Sequence, residues 1–104
     1  MIRNAFKMKL KPGTVEEYKK RHDAIWPELA KAHSDAGVFD YSIYFDEESL
    51  TLFAFQKLTD DNSAGDLQNL GVVQQWWDYN ADLMGTYPNN MPVFTELREV
   101  FHMD

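Results

Sequence analysis

The amino-acid sequence predicts one α+β domain with the element order β-α-β-β-α-β, a ferredoxin-like arrangement. Three observations carry the prediction. The chain opens on a strand-like alternation and passes at once into an amphipathic helical stretch with start and stop signals. Two strand-like runs then flank one short acidic turn, as in a hairpin. A second helical region leads into a last alternating segment. The chain has 104 residues, which suits a single domain. A chain of that size buries roughly two thirds of its unfolded surface.

Each element follows from its residues. In Ile2 to Leu10, Ile2, Phe6, Met8 and Leu10 alternate with Arg3, Lys7 and Lys9, and Lys11-Pro12-Gly13 ends the strand. Thr14-Val15-Glu16-Glu17 has the capping-box pattern, in which the Thr14 hydroxyl and the Glu17 carboxylate would satisfy free amides at a helix start. Val15, Tyr18, His22, Ile25 and Leu29 recur at three- and four-residue steps and share one face. Glu16, Glu17, Lys19, Lys20 and Asp23 share the opposite one. The helix is expected to run to about Ala36 and to stop at Gly37. Pro27 interrupts it. A proline inside a helix costs about 3 kcal/mol and would bend the axis near Trp26; in the first turn of a new helical segment it costs less.

Val38 to Asp46 reads as the second strand, with Tyr41, Ile43 and Phe45 on one face and Ser42 and Tyr44 on the other. Asp46-Glu47-Glu48-Ser49 is the turn, and Leu50 to Leu58 is the third strand, whose nearly unbroken apolar run asks for cover on both faces. Thr59 to Gly65 is a polar loop, Asp66 to Met84 a helical region broken near Gly71, Gly85 to Pro92 a loop, and Val93 to His102 the last strand. With both helices on one face of such a sheet, the other face is bare. A second copy of the same sheet is its simplest cover, so a homodimer with a barrel-like core is expected.

Composition narrows the function. The chain has no cysteine, so it has no disulfide, thiolate nucleophile or cysteine metal site, which fits a reducing cytoplasm. Met-Ile-Arg-Asn-Ala-Phe-Lys is not expected to act as a signal peptide, and no apolar run is long enough to span a bilayer. A net charge of −7 speaks against nucleic acid and anionic membranes as partners. There is no glycine-rich phosphate loop, no G-x-S-x-G and no H-x-x-x-H or H-E-x-x-H. His33 and His102 lack partners at metal-ligand spacing and read as structural or surface residues. No nucleotide, metal or other cofactor is expected.

What remains is aromatic, with one proton carrier. The chain has an aromatic share of 14%, high enough that some rings are expected to line a pocket or an interface. His22 is the one polar break in the apolar stripe of the first helix. It is either a packed imidazole bonded to a backbone carbonyl or a general acid or base working near neutral pH. Tyr18, one turn earlier on the same face, would orient that ring or bond a polar ligand, which favours the second reading. Trp76 and Trp77 are adjacent on a helix and point about 100° apart. They either divide between core and interface or offer an aromatic face to the C–H patch of a pyranose. Tyr41 taken alone reads as a core residue with its hydroxyl at the edge. A pocket of this make-up suits proton transfer on a neutral polar molecule.

Four segments together carry a resemblance: Met1-Ile2-Arg3-Asn4-Ala5-Phe6, the run from Glu17-Tyr18 through Arg21-His22-Asp23-Ala24-Ile25-Trp26-Pro27-Glu28-Leu29, Tyr41-Ser42-Ile43-Tyr44, and Gln75-Trp76-Trp77. With them the chain resembles the L-rhamnose mutarotase family over essentially its full length. It departs from the family pattern in Asp60 to Val73 and in the Gly85 to Met91 loop. The resemblance implies a cytoplasmic dimeric α/β barrel that interconverts the α and β anomers of L-rhamnose without a cofactor. It further implies that His22 is the proton donor and that Tyr18, Tyr41, Trp76 and Trp77 contact the sugar. Two other activities compete on the same fold. One is a cofactorless monooxygenase acting on an aromatic substrate, and the other is a sugar-binding dimer without catalysis. The tryptophan pair together with Tyr18 and His22 favours the mutarotase.

Overall fold

The computed structural model describes residues 1–104. Strands β1 (Ile2–Lys9), β2 (Val38–Asp46), β3 (Thr51–Leu58) and β4 (Thr95–Glu96) form one antiparallel sheet in the order β2-β3-β1-β4. Helices α1 (Val15–Asp23), α2 (Pro27–Asp35) and α3 (Gly71–Asn80) accompany it, with short 3-10 turns at Ala64–Asn69 and Ala81–Leu83. This is the expected ferredoxin-like order, with the first helix split in two. No helix is long and apolar enough to cross a membrane.

The split is the work of Pro27. Proline disfavours helical geometry in the residue before it, and Trp26 is extended (φ −63°, ψ 130°). Pro27 is then the first residue of α2, where its missing N–H costs nothing, and the amides of Leu29 and Ala30 both donate to the Trp26 carbonyl (3.0 and 3.1 Å). So the second of the two geometries open to Pro27 is the one adopted. At the other end of α1 the capping box does not form. The Thr14 hydroxyl donates to the Lys11 carbonyl (2.7 Å) and lies 3.0 Å from that of Leu83, while Glu17 accepts from Arg21 (2.9 Å). Thr14 therefore ties the start of α1 to the chain leaving α3. Gly37 ends α2 with φ +85°, and a Cβ there would collide with the Thr59 hydroxyl.

Strand β2 has the outline expected of it but carries a bulge. Phe39 pairs with Lys57 and Ser42 with Phe55, so three steps along β2 match two along β3, and Asp40 takes up the extra residue at φ +48°. The bulge changes which parity faces the helices. Val38 is buried before it, and Tyr41, Ile43 and Phe45 point to the helix side after it. Strand β4 is much shorter than Val93 to His102. Alternation marks extended backbone, but a strand also needs a neighbour, and only Thr95 and Glu96 keep a ladder with β1.

Two apolar clusters hold the layers together. Met8, Leu10, Leu52 and Ala54 of the sheet side pack with Tyr18 of α1 and with Leu83 and Met84. Leu29 of α2 packs with Val73 and Trp76 of α3. Leu29 and Leu52 are each only 1% exposed. The far face of the sheet is uncovered within the chain. There Phe55 pairs with Ala5, and Tyr44 pairs with Phe53 and packs edge-on against Phe55 (5.9 Å), leaving Tyr44 66% and Phe55 45% exposed.

Candidate active site

Between the helices and the near face of the sheet lies a cavity of about 640 Å³, lined among others by Tyr18, His22, His33, Tyr41, Trp76 and Asn80. Helix α1 sets its first wall. Tyr18 and His22 are one turn apart, and their rings stack with centroids 4.0 Å apart and planes at 27°. The His22 Nδ1 lies 2.9 Å from the Tyr18 backbone carbonyl. A carbonyl only accepts, so Nδ1 carries the proton and donates, and the lone pair falls on Nε2, which has no protein partner. The two readings of His22 thus coincide: the backbone bond that would mark a packed imidazole also fixes the tautomer an acid–base residue needs.

The tryptophans confine that ring from another side. Trp76 meets His22 edge-on at 5.2 Å, and Trp26 meets Trp76 edge-on at 4.9 Å while stacking on Tyr79 at 5.6 Å. Trp26 stands at the break between α1 and α2, so Pro27 sets where this indole goes. Trp77 is half-buried, packs against the Leu29 cluster and also lines the cavity. The bulge in β2 brings Tyr41 in from the sheet, with Phe6 at 6.4 Å on one side and His33 at 6.0 Å on the other.

Burial governs the charge states. It lowers the His22 imidazole below its ordinary pKa, outweighing the upward pull of the backbone bond and of Asp23. It pushes the Tyr41 phenol up to about 12. Tyr18 rises as well, first through burial and then through its proximity to Tyr41. At neutral pH the walls therefore offer a neutral imidazole with one free lone pair, two protonated phenols and indole surface. That combination holds an uncharged polyhydroxylated ring and exchanges protons with it.

A family profile described as L-rhamnose mutarotase matches residues 3–103. The chain belongs to the L-rhamnose mutarotase family. It is 58% identical to an L-rhamnose mutarotase of Bacteroides thetaiotaomicron and 57% identical to one of Phocaeicola vulgatus, in both cases over the whole of each chain. The crystal structure of an L-rhamnose mutarotase from Formosa agariphila superposes with a TM-score of 0.93 at 51% identity, again covering each chain completely.

All five residues singled out for the rhamnose mutarotase site, Tyr18, His22, Tyr41, Trp76 and Trp77, line the one cavity. Among the other polar residues on its walls, two stand out. His33 does not belong to the bare surface; it faces this cavity, and its Nδ1 donates to the Leu29 carbonyl at 2.9 Å. Asn80 is 3% exposed; its Nδ2 donates to the Trp76 carbonyl (3.0 Å), and its Oδ1 has no partner. His102 lies outside the site, beside Asp104 at 2.8 Å in the exposed C-terminal segment.

Proposed function

We infer that the chain interconverts the α and β anomers of L-rhamnose by acid–base-catalysed ring opening and reclosure. The observation that carries this is the free Nε2 of His22, held in a cavity of phenols and indoles, in a chain of the L-rhamnose mutarotase family. Ring opening needs one proton removed from the anomeric hydroxyl and another given to the ring oxygen. His22 Nε2 takes the first as the bond between the anomeric carbon and the ring oxygen breaks and a carbonyl forms. The open-chain aldehyde turns about its C1–C2 bond. The former ring oxygen then adds to the other face of the carbonyl carbon and loses its proton, and the imidazolium returns one to the anomeric oxygen. Protons balance over the cycle, and His22 is the donor in its closing half. In this reading the Tyr18 and Tyr41 hydroxyls hold sugar hydroxyls, while Trp76 and Trp77 cover the C–H face. NMR saturation transfer between the anomeric signals of L-rhamnose tests it. Exchange well above the buffer rate is expected with the protein present, and a rate equal to buffer overturns the assignment.

We also propose that it works as a homodimer joined through the uncovered sheet face. Support comes from the contiguous Tyr44, Phe53 and Phe55, which no element of the chain covers. Sedimentation should give about twice the 12.2 kDa chain mass, and Tyr44→Glu with Phe55→Glu should return it to the monomer. A wild-type monomer at micromolar concentration would contradict the assembly.

A further inference from the structure

His33 repeats the construction of His22 on the neighbouring helix. In each, Nδ1 lies 2.9 Å from the backbone carbonyl one turn back, of Leu29 and of Tyr18 respectively, so each ring is tethered through one nitrogen and keeps Nε2 free. Both line the same cavity. They approach it from different walls: His22 from α1 against Tyr18 and Trp76, His33 from α2 against Tyr41.

The chemistry asks for a second proton carrier. Opening the ring moves two protons at two neighbouring oxygens, and His22, taking one, cannot at that moment supply the other. The remaining groups on the walls serve poorly. Burial drives both phenols upward, away from giving up a proton. Lys19 is held by Asp23 at 2.8 Å, and Asp40 by Lys57 at 3.1 Å. An imidazole gives and takes protons near neutrality.

Resting on the mutarotase reading above, we propose that His33 is the second proton-transfer residue. As the ring opens, His33, acting as the imidazolium with both ring nitrogens protonated, gives its Nε2 proton to the ring oxygen while the neutral His22 takes one from the anomeric hydroxyl at Nε2. On reclosure both protons return, so neither residue is changed over the cycle. His33 is a catalytic residue on this account, not a packing one.

The test is L-rhamnose anomer exchange by NMR saturation transfer in wild type, His33→Gln, His22→Asn and the double variant, with L-rhamnose binding followed by calorimetry. His33→Gln is expected to slow exchange on the order of a hundredfold while sugar binding changes by no more than about twofold. Two residues that act as one unit are non-additive, so the double variant should be about as slow as His22→Asn alone. His33→Leu, which keeps the bulk against Tyr41, should be as slow as His33→Gln and covers the case in which the glutamine variant does not fold. Wild-type exchange in either folded variant overturns the proposal, as does a loss of exchange that only follows a loss of binding, or a double variant slower by the product of the two single effects. Active wild type with active His33 variants overturns this role alone. Inactive wild type overturns the mutarotase reading and this role with it.

Discussion

His22→Asn is expected to lower anomer exchange by about 10²- to 10⁴-fold, the usual worth of a positioned acid–base group, while leaving the fold intact. Asparagine is the informative replacement. Its amide can still donate to the Tyr18 carbonyl now bonded by Nδ1, so the end of α1 keeps its local bond while the titrating nitrogen is lost. The pH dependence of the wild type gives a second reading of the same residue. Protonating Nε2 removes the acceptor, so exchange should fall on the acid side. Burial lowers this imidazole, so that fall belongs below the ordinary histidine value of about 6.5. An acid limb lying above that value, or wild-type exchange in the folded His22→Asn protein, would remove His22 from the mechanism.

Most of this fold was legible because local chemistry and tertiary context agree. Alternation placed β1 and β3 to within a residue or two, Gly37 marked the end of α2, and the turn at Asp46 to Ser49 separated the hairpin strands. Readings failed where a distant residue decided. The Thr14 hydroxyl had a carbonyl from Leu83 within reach, and the capping box was the local alternative it abandoned. The β2 bulge left no mark in the alternation, because Tyr41, Ile43 and Phe45 keep perfect period on one side of it and only Val38 on the other side shows the switch. Pro27 carried the clearest message, since a missing amide hydrogen and a restricted preceding residue are local facts that no packing can undo. For the candidate site, Tyr18, His22, Tyr41, Trp76 and Trp77 do come together at one cavity. His33 escaped because its partner is a backbone carbonyl and its cavity is made by other elements, neither of which a search for metal-ligand spacing detects.

Leu29→Ala should be the most damaging simple core truncation. Leu29 is 1% exposed and lies two residues into α2, where it meets Val73 and Trp76 of α3, with Trp26 and Trp77 around them. It therefore joins the two helices and backs the indole that confines His22. Removing three buried carbons loses their transfer free energy and leaves a void the rigid rings close only in part, a cost of about 2–5 kcal/mol. Against a total of roughly 5–15 kcal/mol for a domain of this kind, that is a large fraction. At roughly 4–8 °C per kcal/mol for a small domain, Tm should drop by roughly 8–40 °C, measured at one protein concentration because an assembly makes Tm depend on it. Leu70→Ala, at 42% exposure just ahead of α3, is the control and should stay within about 0.5 kcal/mol of wild type. The two leucines differ in burial and in what stands behind them, so equal melting temperatures in the two variants would mean that the Leu29–Val73–Trp76 contact does not hold α2 on α3. A selective loss at Leu29 should also weaken sugar binding, because Trp76 would no longer be held against His22 at its present 5.2 Å.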